Sequence, residues 1–256
     1  MRKFVIFLCI PLVFAEYLDK VFPPQNFERV VGGKDAPEGS APFQISLQTS
    51  KGQHMCGGAI IGKEWIITAG HCVSGRTPES LKVLTGTQDL KGQGVYYFPK
   101  KIYVHEKYNK PAYHNDIALI RLNDSIRYNE FTQKISFSPN DSPDDAVITL
   151  TGWGRLSAGG SIPTELQAIE LKRMAYVDCK RKFSDDPNLG VGHLCTYNQA
   201  GQGACNGDSG GPLTHEGLLV ALVNWGIPCA KGFPDVHARV SYYHDWIKTT
   251  TGSGEQ

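Results

Sequence analysis

This 256-residue chain predicts an all-β fold of sandwich or barrel type, on three observations. Its β-rich runs are short and evenly spaced. Its 28 glycines and 15 prolines cluster between those runs. Strands and helices do not alternate, which speaks against a parallel α/β architecture. With 41% apolar residues the chain is long enough to bury a large core, so a disordered or fibrous protein is excluded.

The elements follow in order. Arg2 and Lys3 precede an apolar run over 4–14, and Val13-Phe14-Ala15 ends it with a small residue at the cleavage-determining position, the pattern of a signal peptide over 1–15. Eleven residues interrupted by Pro11 are too few to cross a bilayer, which takes about 20, so no membrane anchor is expected. Residues 16–29 are polar, contain proline and lack cysteine, and read as a removable propeptide. A first set of strands is predicted at 43–48, 58–61, 65–68, 82–85, 101–105 and 117–122, and a second at 146–152, 166–174, 211–214, 218–225 and 236–240. Beyond them, Tyr242, Tyr243, Trp246 and Ile247 fall on one side of a packing helix that Ser241 is placed to cap.

Cys9 lies in the signal, leaving Cys56, Cys72, Cys179, Cys195, Cys205 and Cys229. Six cysteines in an exported chain imply disulfides, and none has the close spacing of a zinc or redox motif. Of 26 basic and 25 acidic residues, residues 1–29 hold four and three, leaving 22 of each; no basic face for nucleic acid is indicated. Asn123 and Asn140 begin glycosylation sequons, the second one beside Pro143.

The chemistry is carried by three segments. Residues 203–212 read Gly-Ala-Cys-Asn-Gly-Asp-Ser-Gly-Gly-Pro and place Ser209 in a glycine-rich turn. A serine hydroxyl is a poor nucleophile near neutral pH and needs a base that removes its proton during attack. His71, in Thr68-Ala69-Gly70-His71-Cys72, suits that role, because imidazole changes charge near physiological pH. Asp116, before the apolar run Ile117-Ala118-Leu119-Ile120, offers a carboxylate to fix its tautomer. Singly these are weak signals, since a lone histidine is usually structural and an aspartate usually a solvated surface group. The chain order His, Asp, Ser separates this arrangement from subtilisins and α/β-hydrolases, although Gly207-x-Ser209-x-Gly211 also fits the hydrolase elbow. Together the segments resemble the chymotrypsin-like serine endopeptidases, from Val30 to about Trp246.

That resemblance implies two six-stranded antiparallel β-barrels, about 30–138 and 139–240, with a C-terminal α-helix and a cleft between the barrels. His71 and Asp116 would come from the first barrel, Ser209 from the second. It implies the disulfides Cys56–Cys72, Cys179–Cys195 and Cys205–Cys229. It implies activation by a trypsin-like protease cutting after Arg29, the new ammonium of Val30 pairing with Asp208, and an oxyanion hole built from the N–H groups of Gly207 and Ser209. A non-enzymatic binding homologue on the same fold is the rival reading, and the intact His71, Asp116, Ser209 and Gly207 argue against it.

The resemblance also places a substrate pocket. Gly203 stands where trypsins carry an aspartate, Ala204 is expected to keep the floor apolar, and Gly226 after Trp225 to leave the entrance open, which favours Phe, Tyr, Trp or Leu before the scissile bond. Asp235 falls where many relatives have glycine and could return a carboxylate to the pocket, admitting basic residues. Asn224 replaces the usual serine that supports the catalytic aspartate. Gly70 replaces the usual alanine, with a looser turn expected, and His114 is expected on the strand face opposite Asp116. His105-Glu106-Lys107-Tyr108-Asn109 falls short of a zincin motif, and the 87–94 loop has only Asp89 as an acid, so neither a metal nor a cofactor is expected. The implied partners are protein or peptide substrates, the activating protease and protein inhibitors, for a secreted, monomeric, digestive enzyme.

Overall fold

The computed structural model describes residues 29–252; the expected signal peptide and the propeptide up to residue 28 lie outside the described residues. Short strands dominate. After β1 (Lys34–Asp35) come β2 (Gln44–Thr49), β3 (His54–Gly62), β4 (Trp65–Thr68), β5 (Leu81–Thr85), β6 (Val95–Tyr97), β7 (Pro99–Val104) and β8 (Ala118–Leu122). These seven form one antiparallel sheet in the order β6-β5-β2-β3-β4-β8-β7. Its two end strands are separated in the chain by Phe98 alone, so the bent segment 95–104 pairs with β5 at one end and β8 at the other and brings the sheet round into a barrel.

The second barrel comprises β10 (Val147–Gly152), β11 (Gln167–Met174), β12 (His193–Thr196), β13 (Pro212–His215), β14 (Leu218–Gly226) and β15 (Asp235–Arg239), with a short β9 (Ser136–Phe137) alongside β14. Here the ladder closes on itself: β10 pairs with β11, β11 with β12, β12 with β15, β15 with β14, β14 with β13 and β13 with β10.

Alternation along β2 shows how sequence places the cleft. Ile45 and Leu47 face the core of the first barrel, while Gln44, Ser46 and Gln48 turn to the other side and are buried as well. That polar face meets the second barrel, where Thr151 Oγ1 donates to Gln44 Oε1 at 2.7 Å. Beside it an apolar seam joins Ala59, Ile67, Ile117 and Leu119 to Leu219, Leu222, Ala238 and Ile247, most of them fully buried. Burying one such Ile or Leu contributes about 1.5–3 kcal/mol, against at most about 1 kcal/mol for an exposed ion pair, so the seam fixes how the barrels face each other.

Three elements depart from the sequence expectation. β12 is buried at every residue and shows no alternation; β6 exposes Val95 and Tyr96; and a helix at Tyr176–Lys182 was not anticipated. At the C-terminus Ser241 does not cap the helix. A 3-10 turn over Val240–Tyr243 runs into the helix His244–Thr251, and the Ser241 hydroxyl bonds Asp141 at 3.3 Å. Tyr243 and Ile247 are buried, whereas Tyr242 is exposed.

Candidate active site

Strand pairing brings His71 and Asp116 together. β4 and β8 are antiparallel neighbours with Thr68 opposite Ala118, so the turn leaving β4, the short helix Gly70–Val73, lies beside the residues entering β8. Asp116 Oδ2 accepts from His71 Nδ1 at 2.6 Å and Oδ1 from the His71 backbone N–H at 2.7 Å. A carboxylate only accepts, so Nδ1 carries the proton and Nε2 is left as the basic nitrogen. Asp116 is 2% exposed and the imidazole 34%, which puts a shielded carboxylate behind an accessible ring.

Ser209 is held against the same turn by backbone packing. Its carbonyl accepts from Gly57 N at 2.8 Å, and Cys72 Sγ lies 3.7 Å from that carbonyl. Gly210, at φ +71°, approaches so closely that a Cβ there would lie 2.8 Å from Ala69 N; a side chain would push the serine turn off the histidine turn. No hydrogen bond joins the Ser209 and His71 side chains among the described residues. Such contacts are often long before substrate binds. Disulfides Cys56–Cys72 and Cys205–Cys229 tie down the two turns, and Cys179–Cys195 joins the helix Tyr176–Lys182 to β12. Each closes a loop of 16 to 24 residues, worth about 3 kcal/mol.

Neither the Gly207 nor the Ser209 N–H finds an acceptor among the described residues. The Asn206 carbonyl accepts from Arg155 N at 2.8 Å, and the trans peptide therefore turns the Gly207 N–H the opposite way, at a φ of +105° that favours glycine. On the far side of Gly207 lies a residue the sequence reading missed. His54 Nε2 donates to the Gly207 carbonyl at 3.0 Å, its Nδ1 accepts from Ser46 Oγ at 2.8 Å, and Gln48 Nε2 donates to Ser46 Oγ at 3.2 Å. Burial lowers the His54 pKa and keeps the ring neutral, as this chain of donors requires. The available signal was the polar face Gln44-x-Ser46-x-Gln48 in an otherwise apolar strand.

Asp208 is fully buried, with Oδ1 accepting from Gly154 N at 2.8 Å and Oδ2 from Cys205 N at 2.9 Å. Gly152 and Gly154 make the room; a Cβ on either would collide with the carboxylate. Burial pushes its pKa up to about 6, against the pull of the two amides. Val30, still joined to Arg29, is buried in the core of the second barrel at φ 40°, a strained conformation for a β-branched residue. The next carbonyl, of Val31, accepts from Gly203 N at 2.9 Å, so this segment runs along the pocket loop.

The place beside Ala204 that was expected to be apolar holds a carboxylate. Asp235, which opens β15 opposite Gly226, reaches beneath Gly203 and accepts from Ala204 N through Oδ2 at 2.7 Å. A Cβ on Gly203 would collide with that oxygen, so glycine and aspartate occupy one space between them. Oδ1 has no hydrogen-bond partner among the described residues. Burial, with the Asp208 charge adding to it, raises the Asp235 pKa to about 7 in spite of the Ala204 amide.

Three further expectations are corrected. Asn224 does not support Asp116; it sits at a bulge of β14 and its amide donates to the Tyr113 carbonyl at 3.0 Å. Gly70 does not loosen its turn, because a Cβ there would lie 2.9 Å from the Tyr108 ring and 3.1 Å from Asp116 Oδ1. His114 is not on a strand but in the turn before β8, where its ring lies 5.0 Å from that of His193. Trp225 stacks on Tyr113 at 5.2 Å. Asn123 and Asn140 are both exposed, but Ser142 of the second sequon is buried and bonded to Arg173.

Among the described residues no helix is long and apolar enough to cross a membrane. Comparison with known proteins places the chain. The trypsin family profile matches residues 30–247. Chymotrypsin-2 of Vespa crabro is 39% identical over 86% of this chain and 98% of the relative. Trypsin alpha-4 of Lucilia cuprina and Hypodermin-A of Hypoderma lineatum are each 35% identical over 99% of this chain and their full length. The barrels, the His71–Asp116 pair and the serine turn against it thus have their explanation in descent: the chain belongs to the trypsin family and is a serine endopeptidase.

Proposed function

We propose that the chain is a secreted digestive zymogen, cut after Arg29 by a trypsin-like protease, that cleaves proteins through an acyl-enzyme formed on Ser209. The observation that carries this reading is the His71–Asp116 pair, with Nδ1 protonated and Nε2 open beside the serine turn. In the acylation step His71 Nε2 takes the Ser209 proton as Oγ attacks the carbonyl, and Asp116 stabilises the imidazolium. The carbonyl oxygen becomes an oxyanion between the Gly207 and Ser209 amides, each such donor worth about 2.7–4 kcal/mol. His71 then protonates the leaving amine, and water repeats the sequence to release the acid.

Activation follows from the two strained features of the uncut chain. Val30 at positive φ stores about 1–3 kcal/mol, which breaking the Arg29–Val30 bond relieves. The same cut creates an ammonium that can neutralise Asp208, a buried carboxylate held, among the described residues, by two amides.

For specificity, Gly203 and Gly226 favour a large side chain, with Phe, Tyr, Trp or Leu preferred. Asp235 favours a second reading in which Lys or Arg also enters when its carboxylate is ionised. The relatives, named as both chymotrypsin and trypsins, do not separate the two. The test is labelling by a phosphonate probe that requires an activated serine, followed by cleavage-site profiling on a peptide library. Cleaved protein should label at Ser209 and Arg29→Gln precursor should not; labelling of that precursor at the same rate would reject the zymogen. Cleavage after Lys or Arg outpacing Tyr and Phe at every pH would reject the aromatic preference.

A further inference from the structure

The loop between β7 and β8 carries Asp116 to His71, and its internal bonds, Tyr113 N to Asn109 Oδ1 and Asn109 N to the His114 carbonyl, leave the Tyr113 carbonyl to partners outside it. Asn109, Tyr113 and Asn115 all have positive φ, at 58°, 64° and 54°, and none is glycine. Asp116 itself receives donors only from His71 among the described residues. Its direction is therefore set by the backbone beneath it.

That backbone is gripped from the second barrel. The Tyr113 carbonyl accepts from Asn224 Nδ2 at 3.0 Å and from His193 Nε2 at 3.2 Å. His193 Nδ1 accepts from Gly190 N at 3.0 Å, which leaves the ring proton on Nε2 and aims it at Tyr113. Both residues are buried, at 3% and 8% exposure, so the two hydrogen bonds are shielded from water. They come from different strands, His193 from β12 and Asn224 from the bulge that turns it out of the β14 ladder. The Tyr113 ring stacks on Trp225, and the Tyr243 hydroxyl lies against the Asn115 backbone, so the same stretch is held on its side as well. Burial lowers the His193 pKa to about 4, which keeps the ring neutral and Nδ1 an acceptor near neutral pH.

We propose that His193 and Asn224 are positioning residues of the peptidase, clamping the Tyr113 carbonyl across the cleft so that Asp116 meets His71 in register. In this chain the amide of Asn224 acts three residues before the aspartate instead of on it. The proposal rests on the roles assigned above to His71, Asp116 and Ser209.

The test uses the full chain cleaved after Arg29, in four variants: Asn224→Leu, Asn224→Asp, His193→Leu and His193→Gln. Three readouts apply: the second-order rate of Ser209 labelling by a small dialkyl fluorophosphate, the downfield proton resonance of His71 Nδ1–H, and the melting temperature. Losing one buried donor should slow labelling about tenfold in Asn224→Leu, Asn224→Asp and His193→Leu, and shift or broaden the resonance. His193→Gln retains a donor and should stay within about twofold of the parent. Parental labelling rates and an unmoved resonance in Asn224→Asp and His193→Leu would overturn the clamp. So would a loss in His193→Gln equal to that in His193→Leu. If the cleaved parent itself fails to label at Ser209, the triad assignment falls, and the clamp with it.

Discussion

On the proposed specificity, Asp235 should make substrate choice a function of pH. Its carboxylate lies under Gly203 with one oxygen on the Ala204 amide and the other without a partner among the described residues, and its pKa is raised to about 7. Cleavage after Lys or Arg needs the anion; cleavage after Phe or Tyr does not. The assay is the ratio of kcat/KM for two peptides that differ only in Arg against Phe before the scissile bond, measured from pH 5 to 9. Taking the ratio cancels whatever pH dependence the two substrates share in the chemical step. With the uncut chain's value of about 7, roughly 9% of the carboxylate is ionised at pH 6 and roughly 91% at pH 8, so the ratio should rise up to about tenfold as Asp235 ionises and then level off, the step lying at lower pH to the extent that neutralising Asp208 lowers that value. Asp235→Asn keeps an acceptor for Ala204 N but cannot ionise, and its ratio should be flat and low. A flat ratio in the unmodified enzyme would refute the reasoning, because the carboxylate would then either be outside the pocket or carry a fixed charge throughout.

Other expectations concern the surroundings of the site. Asp235 is nearly fully buried and its folded pKa lies above the ordinary 3.8, so its contribution to stability is full below that value and is lost as pH rises through about 7. Asp235→Asn should therefore gain up to about 4 kcal/mol over the parent between pH 4 and pH 8, read as diverging thermal melts; parallel melts would contradict it. Gly70→Ala puts a methyl group 2.9 Å from the Tyr108 ring, an overpacking worth about 1–3 kcal/mol, and should lose activity that a second change, Tyr108→Leu, restores. If the single variant is as active as the parent, the turn has the slack that the packing denies. His54→Phe fills the same space without the donor to Gly207 O and should lower kcat about tenfold with little change in KM, measured on an amide substrate; an unchanged kcat would remove His54 from the oxyanion loop's support.

How far the sequence could be read depended on whether a feature was local. The strands with β-branched runs between glycines, such as Trp65–Thr68, were visible because propensity and turn chemistry agree there. His193–Thr196 was not, since a strand buried on both faces shows no period and its histidine looked polar. The His71, Asp116 and Ser209 segments were legible through their neighbours in sequence. What Asn224, Gly70 and His114 do depends on Tyr113, Tyr108 and His193, which are distant in the chain and become neighbours only when the barrels close. Ser241 shows the limit of a local rule: it is well placed to cap a helix, but Asp141, 100 residues earlier, claims its hydroxyl.

Three carboxylates, on Asp116, Asp208 and Asp235, are buried, and a buried carboxylate costs free energy unless it is partnered. They differ in what answers that cost. Asp116 has an imidazole proton and a backbone amide, and it can gain a full cation each time His71 takes a proton. Asp208 has two amides and, among the described residues, no cation, so it is the group that a new N-terminus would change most. Asp235 has one amide and an open oxygen, and the charge on Asp208 pushes its pKa upward. Neutralising Asp208 removes that push, so the proposed cut after Arg29 should also leave Asp235 a stronger acid. On the proposed activation, maturation and substrate choice would then be linked through one field, carried by Asp208 in the serine turn and Asp235 at the start of β15.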